Sequence, residues 1–390
     1  MPASDSARDA QSARALTIAA NVSFLPIGVV TVLLGPLLPI LSARWSLNYT
    51  QAGALFYAQY LASTLAVMLS GFLVARRGFR FAMKCGLLLT TASVASLLFV
   101  PKWLGVACIA GWGAGLGLAV PAANLMVSEV NAARRGAALN LLNFCWSAGA
   151  VSCSLLVAGA AWKQCLSGLL GTFAGVLLLV LIWIAAMPAR IAEPGVPNAS
   201  AGARVPIAWK HPALPALAVL FLVYVGVENS FGGWIASYAR SLGTMTAAMS
   251  LMTPSFFYAS LMFGRLLSPM LLKKTGETRV AQGGLLLACA GGAGLVFSNA
   301  LPGVLVSASL AGFGLAAVYP ITIGLIAREF GPGASRTGSL MFTLSNIGGG
   351  LLPGIVGVCS TAFGTIKAGL GVPLLGSALM FLLYLRRWKE

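Results

Sequence analysis

The sequence predicts an all-α membrane protein with twelve transmembrane helices in two pseudo-symmetric six-helix bundles. Three observations carry this. Of 390 residues, 58% are hydrophobic and only 8% charged, against about 25% charged in a soluble domain. That leaves too little polar surface to cover a globule in water, so the lipid bilayer must be the solvent for most of the chain. The apolar residues fall into twelve runs, most of them close to the roughly 20 residues needed to cross a hydrocarbon core about 30 Å thick. Segments of the first half also recur in the second.

The first six runs lie near 16–41, 50–75, 80–100, 103–129, 137–161 and 166–187. No small-residue cleavage site follows the first, so it is expected to be a retained span rather than a signal peptide. In the fourth, Gly111, Gly113, Gly115 and Gly117 form two interleaved GxxxG pairs, a packing pattern. The interval 188–212 is polar, holds five prolines and shows no apolar periodicity. It reads as a cytoplasmic linker. Runs near 213–239, 246–271, 279–299, 302–328, 337–361 and 366–386 follow. The expected domains are therefore 1–187 and 213–390, joined by 188–212.

An even number of spans puts both termini on one side. Of the 25 Lys and Arg residues, 20 fall on that side, and five (Arg44, Lys102, Lys163, Arg240 and Lys367) on the other. Loops rich in Lys and Arg stay in the cytoplasm, which places both termini there. The lean loops point to a bacterial inner membrane. The same asymmetry accounts for the net charge of +17 without a nucleic-acid partner. Seven cysteines lie mostly inside apolar runs without CxxC spacing, and there is one histidine, His211. No metal cluster, phosphate loop or nucleophile–base set can be assembled, so neither an enzyme nor a cofactor is expected. A monomer is expected.

The internal repeat is specific. GLGLAVP at 115–121 matches GFGLAAVYP at 312–320, and RRGAALNLLN at 134–143 matches SRTGSLMFTLSN at 335–346. Glu129 beside Arg134 and Arg135 matches Glu329 beside Arg328 and Arg336. A parallel duplication of six spans places a substrate path between the halves.

Glu228 is the most informative residue. It lies inside the apolar run 213–239, where an ionised side chain costs about 2.5–3.5 kcal/mol at the bilayer centre. Such a residue persists when it meets water, a partner or a ligand. It can take up and release a proton, accept hydrogen bonds from a solute, or bind sodium. Neighbouring helices could also satisfy it permanently.

Asn140, Asn143 and Ser147 share one face of span 5. Asn143 and Asn346 occupy duplicated positions, and amides both donate to and accept from sugar hydroxyls. Hydrogen bonding between helices is the alternative. Trp146, Tyr57, Gln59, Tyr60, Tyr224, Asn229, Trp234, Tyr258 and Tyr319 complete the candidate substrate set. Gly232-Gly233 and Gly348-Gly349-Gly350 with Pro353 read as gate breaks or as close packing. Arg265 either snorkels to headgroups or faces the cavity as a countercharge for Glu228 or an anionic substrate.

The loop between spans 2 and 3, GFLVARRGFR at 71–80, resembles the signature of the major facilitator superfamily. Gly71, Arg76, Gly78 and Arg80 match, and Ala75 replaces the expected Asp. With the length, span count, linker and duplication, the resemblance covers essentially the whole chain. It implies a secondary active transporter working by alternating access on a small-molecule substrate. It also implies that the missing Asp would have faced span 11 in a cytoplasmic gate. Here Arg76, Arg80, Glu129, Arg135, Glu329 and Arg336 are the residues left to form one. YVGVENSFGGWIASYA at 224–239 resembles span 7 of the fucose permease-like branch, which implies a sugar symporter coupled to a proton or sodium. A proton-coupled exporter of lipophilic compounds would use the same Glu228 and aromatics. A receptor that binds without turnover is a third class, for which no signalling domain is evident.

Overall fold

The computed structural model describes residues 3–97, 99–187, 209–386 and 388. Most of the expected linker, 188–208, lies outside the described residues. Among those described there is no strand. Among the described residues, fourteen α-helices follow one another. The first seven are α1 (Ala3–Val32), α2 (Leu34–Arg44), α3 (Tyr49–Arg77), α4 (Phe79–Ser96), α5 (Lys102–Val130), α6 (Arg135–Trp162) and α7 (Leu166–Ala186). The others are α8 (Leu214–Ser241), α9 (Ala247–Leu272), α10 (Glu277–Phe297), α11 (Leu301–Leu315), α12 (Val318–Phe330), α13 (Ala334–Ala362) and α14 (Ile366–Tyr384).

Fourteen helices correspond to twelve runs because spans 1 and 10 are each interrupted once. Proline has no N–H to donate to the carbonyl four residues earlier. Pro36 and Pro320 lie just past the interruptions at Leu33 and at 316–317. Among the described residues, eleven segments are long and apolar enough to cross a membrane. The remaining run is α4, whose 18 residues span about 27 Å. Its first turns carry Arg80 and Lys84, and it packs on α5 and α7.

Contacts divide the chain into two units. One draws on Met1–Thr31, Ala58–Ser152 and Gln164–Gly202, the other on Val32–Tyr57, Cys153–Lys163 and Ala203–Glu390. In the first unit α4 lies between α5 and α7, and glycines bring backbones together. A methyl group at Gly28 would sit 2.1 Å from the carbonyl oxygen of Trp146, and one at Gly149 would sit 2.1 Å from that of Leu25, so α1 and α6 touch directly. The interleaved glycines of α5 serve two neighbours. Gly113 and Gly117 abut Gln59 and Ser63 of α3, while Gly111 and Gly115 abut Ser93 and Gly86 of α4.

In the second unit α8 is central, packed on α2, α9, α13 and α14. The end of span 1 and the start of span 2 belong to this unit. A methyl at Gly35 of α2 would meet the Gly232 carbonyl oxygen at 2.6 Å, and Gly53 of α3 faces Gly354 of α13. The Thr50 N–H donates to Thr361 Oγ1, and the two hydroxyls are also bonded, each at 2.9 Å. Gly232, Gly233 and Gly348, from the two clusters considered as gate breaks, make close packing contacts. The helix α13 runs unbroken through Gly348-Gly349-Gly350 and Pro353, and Gly348 lies against the carbonyl of Leu222.

The duplication shows in local structure. Short 3-10 turns at Ala132–Arg134 and Gly331–Gly333 precede α6 and α13 in corresponding places. The chain turns between α3 and α4 at Gly78, whose φ of 86° suits a residue without a Cβ.

Candidate functional site

Glu228 lies in the middle of α8, on a helix buried on nearly every face. Its Oε2 is 3.4 Å from Nη2 of Arg265 on α9. The glutamate side chain is 12% exposed and the arginine 27%, so the guanidinium is the more open partner. Arg265 shares a helical face with Tyr258, Leu261 and Ser268, all buried. Phe263, Leu266 and Met270 form the exposed face. Arg265 therefore does not snorkel along the lipid surface but reaches inward to the carboxylate.

Tyr224, one turn before Glu228, stacks on Tyr319 of α12 with ring centroids 4.9 Å apart and an interplanar angle of 21°. Its hydroxyl donates to the Leu315 carbonyl oxygen at 3.0 Å. That oxygen is accessible because span 10 is interrupted at 316–317. Phe221 packs edge-on against Tyr319 and Phe342, and Ser345 Oγ donates to the Phe221 carbonyl oxygen at 3.1 Å. Both tyrosines interact electrostatically with Glu228 and Arg265. Asn229, the next residue after Glu228 along α8, has a buried Nδ2 with no hydrogen-bond partner among the described residues. Asn346 is half-buried on α13, next to Ser345.

A second cluster lies in the first unit. Thr31 Oγ1 accepts from Trp146 Nε1 at 3.3 Å, and the Thr31 carbonyl accepts from Gln59 Nε2 at 3.4 Å. Trp146 and Gln59 are thus joined through a threonine that no sequence pattern had singled out. Tyr60 is half-buried nearby in sequence on α3, while Asn143 is exposed and its amide bonds back to the Leu139 carbonyl at 2.9 Å.

The remaining aromatic candidates lie elsewhere in the second unit. Tyr57 donates to the Leu351 carbonyl at 3.3 Å. Trp234 is buried, donates to the Pro353 carbonyl at 3.0 Å and contacts the Tyr49 and Phe56 rings. It stands about 9 Å along α8 from Glu228 at the helical rise of roughly 1.5 Å per residue. The Tyr258 hydroxyl lies against Gly232. These side chains line the packing between α2, α3, α8, α9 and α13.

Most candidate gate residues have identifiable partners. Arg80 donates to the carbonyls of Ile184 and Met187 at 3.2 and 2.7 Å, satisfying the end of α7 where the helix dipole favours a cation. Arg76 lies over the Phe72 ring. Glu129 pairs with Arg135 at 3.7 Å, with side chains 29% and 52% exposed; such a pair contributes about 0–1 kcal/mol. Glu329 faces His211 Nε2 at 4.0 Å. Arg336 is exposed. A further pair, Glu277 with Arg328, joins α10 to α12; the sequence reading had not proposed it.

A family model described as Major Facilitator Superfamily matches residues 20–353. An uncharacterised MFS-type transporter of Yersinia pestis is 24% identical over 306 residues, 78% of each chain. Three solved structures share the fold. A bacterial homologue of the human lysosomal transporter Spinster has a TM-score of 0.75 at 16% identity, covering 97% of both chains. The nucleoside transporter NupG has a TM-score of 0.71 at 13% identity, covering 96% of this chain and 97% of its own. FucP, the E. coli fucose:proton symporter, gives 0.66 at 20% identity in its outward conformation, covering 97% of this chain and all of its own.

Proposed function

The chain belongs to the major facilitator superfamily, a family of multi-pass membrane transporters rather than enzymes, and we propose that it is a proton-coupled symporter of a small polar solute. In this reading it works by alternating access with both termini in the cytoplasm. The observation that carries the reading is Glu228. It is a carboxylate inside a span, facing a guanidinium across 3.4 Å and only 12% exposed. Buried ion pairs are costly to desolvate, and intramembrane carboxylates mark proton and ion pathways. Structural relatives that carry fucose with a proton and nucleosides agree with a polar substrate. The stacked Tyr224 and Tyr319 rings and the unpartnered Asn229 amide suit a compact solute with polar groups.

The coupling step follows from the pair. A proton arriving on Glu228 neutralises it and weakens its hold on Arg265, so loading changes the attraction between α8 and α9. Substituting Glu228→Gln should abolish uphill accumulation in proteoliposomes under a pH gradient. Exchange of labelled for unlabelled substrate should survive, because exchange needs no net proton movement. Accumulation at the wild-type level in that variant would refute the coupling role.

A further inference from the structure

We infer that the solute carries an anionic group, most simply a carboxylate, and that Arg265 is the residue that binds it. The inference rests on the proton-coupled reading and adds the substrate's charge. The argument is one of charge balance. α8 carries no charged side chain between its first turn and Tyr238 other than Glu228, and α9 carries none but Arg265. With Glu228 ionised the pair is neutral. Once Glu228 takes a proton, Arg265 is left as a cation whose one ionic partner is gone, an unfavourable state for a largely buried charge. A neutral sugar supplies no countercharge. A carboxylate does, and its binding to Arg265 and proton binding to Glu228 then favour one another, as linkage requires.

The local geometry agrees. Arg265 Nη2 donates to Glu228 Oε2 at 3.4 Å, and the guanidinium also interacts with Tyr224. A guanidinium has five N–H donors in a planar array that matches a carboxylate. Its greater exposure, 27% against 12%, makes it the group an incoming solute reaches. Among the described residues, no other element packed on α8 or α9 is seen to supply the countercharge; on α10, Glu277 pairs with Arg328, Arg279 lies in the first turn and Cys289 is the one further ionisable group. Tyr224 and Tyr319 are the titratable neighbours. α11 has no ionisable side chain, and those of α2, α13 and α14 (Arg44, Arg336, Cys359, Lys367, Tyr384) lie within a turn of a helix end. Those of α12, Arg328 and Glu329, are at its far end, paired with Glu277 and facing His211. One proton carried with one monoanion moves no net charge.

The test uses the purified full-length protein with gluconate and lactate as probes and glucose and glycerol as their neutral counterparts. At least one acid should raise the melting temperature of the wild type, and neither neutral compound should. Arg265→Gln should weaken binding of that acid at least tenfold, and Arg265→Lys should restore part of it. If Arg265→Gln does not fold, the uncharged double variant Glu228→Gln/Arg265→Gln carries the same test. In proteoliposomes, uptake of the acid down a pH gradient should be unchanged by an imposed membrane potential. A neutral compound binding as tightly as its acid, equal acid binding without Arg265, a potential-dependent uptake, or no shift with either acid would each overturn the inference. If a neutral solute is accumulated and Glu228→Gln abolishes this, symport stands and the anion site falls. If an acid binds through Arg265 but Glu228→Gln accumulates it normally, the anion site stands and the coupling reading falls.

Discussion

At the scale of single residues, partners decide what a polar group does inside the membrane. Tyr224 is a clear case, because its hydroxyl serves a carbonyl that the break in span 10 left available. Tyr224→Phe keeps the stack on Tyr319 but removes that donor, and a buried acceptor left unpaired costs about 1–3 kcal/mol. Thermal melting in detergent should show a loss of that size; a change below about 0.5 kcal/mol would mean that Leu315 finds another partner. Glu228 was legible in the sequence because a carboxylate among apolar residues stands out at any register. Arg265 was only half legible. Its long chain permits either snorkelling or an inward reach, and the choice depends on which face of α9 turns to α8. Thr31 was not legible at all, since a threonine in an apolar run carries no periodic signal until Trp146 and Gln59 converge on it.

At the scale of helices, glycine spacing encodes neighbours. The two GxxxG pairs of α5 read as packing in the sequence, and each pair faces a different helix. Which helix it faces could not be read, because spacing identifies a face and not what lies against it. The consequence is measurable. A Cβ at Gly348 would come within 1.8 Å of the Leu222 carbonyl oxygen, so Gly348→Ala must push α13 away from α8. Overpacking of this kind costs about 1–3 kcal/mol, and the melting temperature should fall accordingly. Gly175 of α7 has nothing within 4 Å of such a Cβ. Gly175→Ala should be neutral or stabilise by up to about 1 kcal/mol, the difference in helix propensity. Equal melting temperatures for the two variants would show that the α8–α13 contact is not tight.

At the scale of the whole molecule, the end of span 1 and the start of span 2 pack against helices of the second half through Gly35, Gly53 and the Thr50–Thr361 hydrogen bonds. If transport proceeds by alternating access, that seam must open in every cycle. Thr50→Cys with Thr361→Cys, in a background lacking the seven native cysteines, should form a disulfide on oxidation and stop uptake, and a reductant should restore it. Full uptake with the cross-link formed would exclude the seam as a moving part. The sequence by itself determined that this protein spans a membrane many times, that its halves are duplicated, and that an acid is held inside the seventh span. Those properties reside in composition, run length and repeat, which survive without knowledge of neighbours. Only the tertiary structure decided that Arg265 meets Glu228, that the break in span 10 lies beside Tyr224, and that Gly348 of α13 packs on α8. Each of these depends on which faces of separate helices meet, and that is a property of packing, not of any one run of residues.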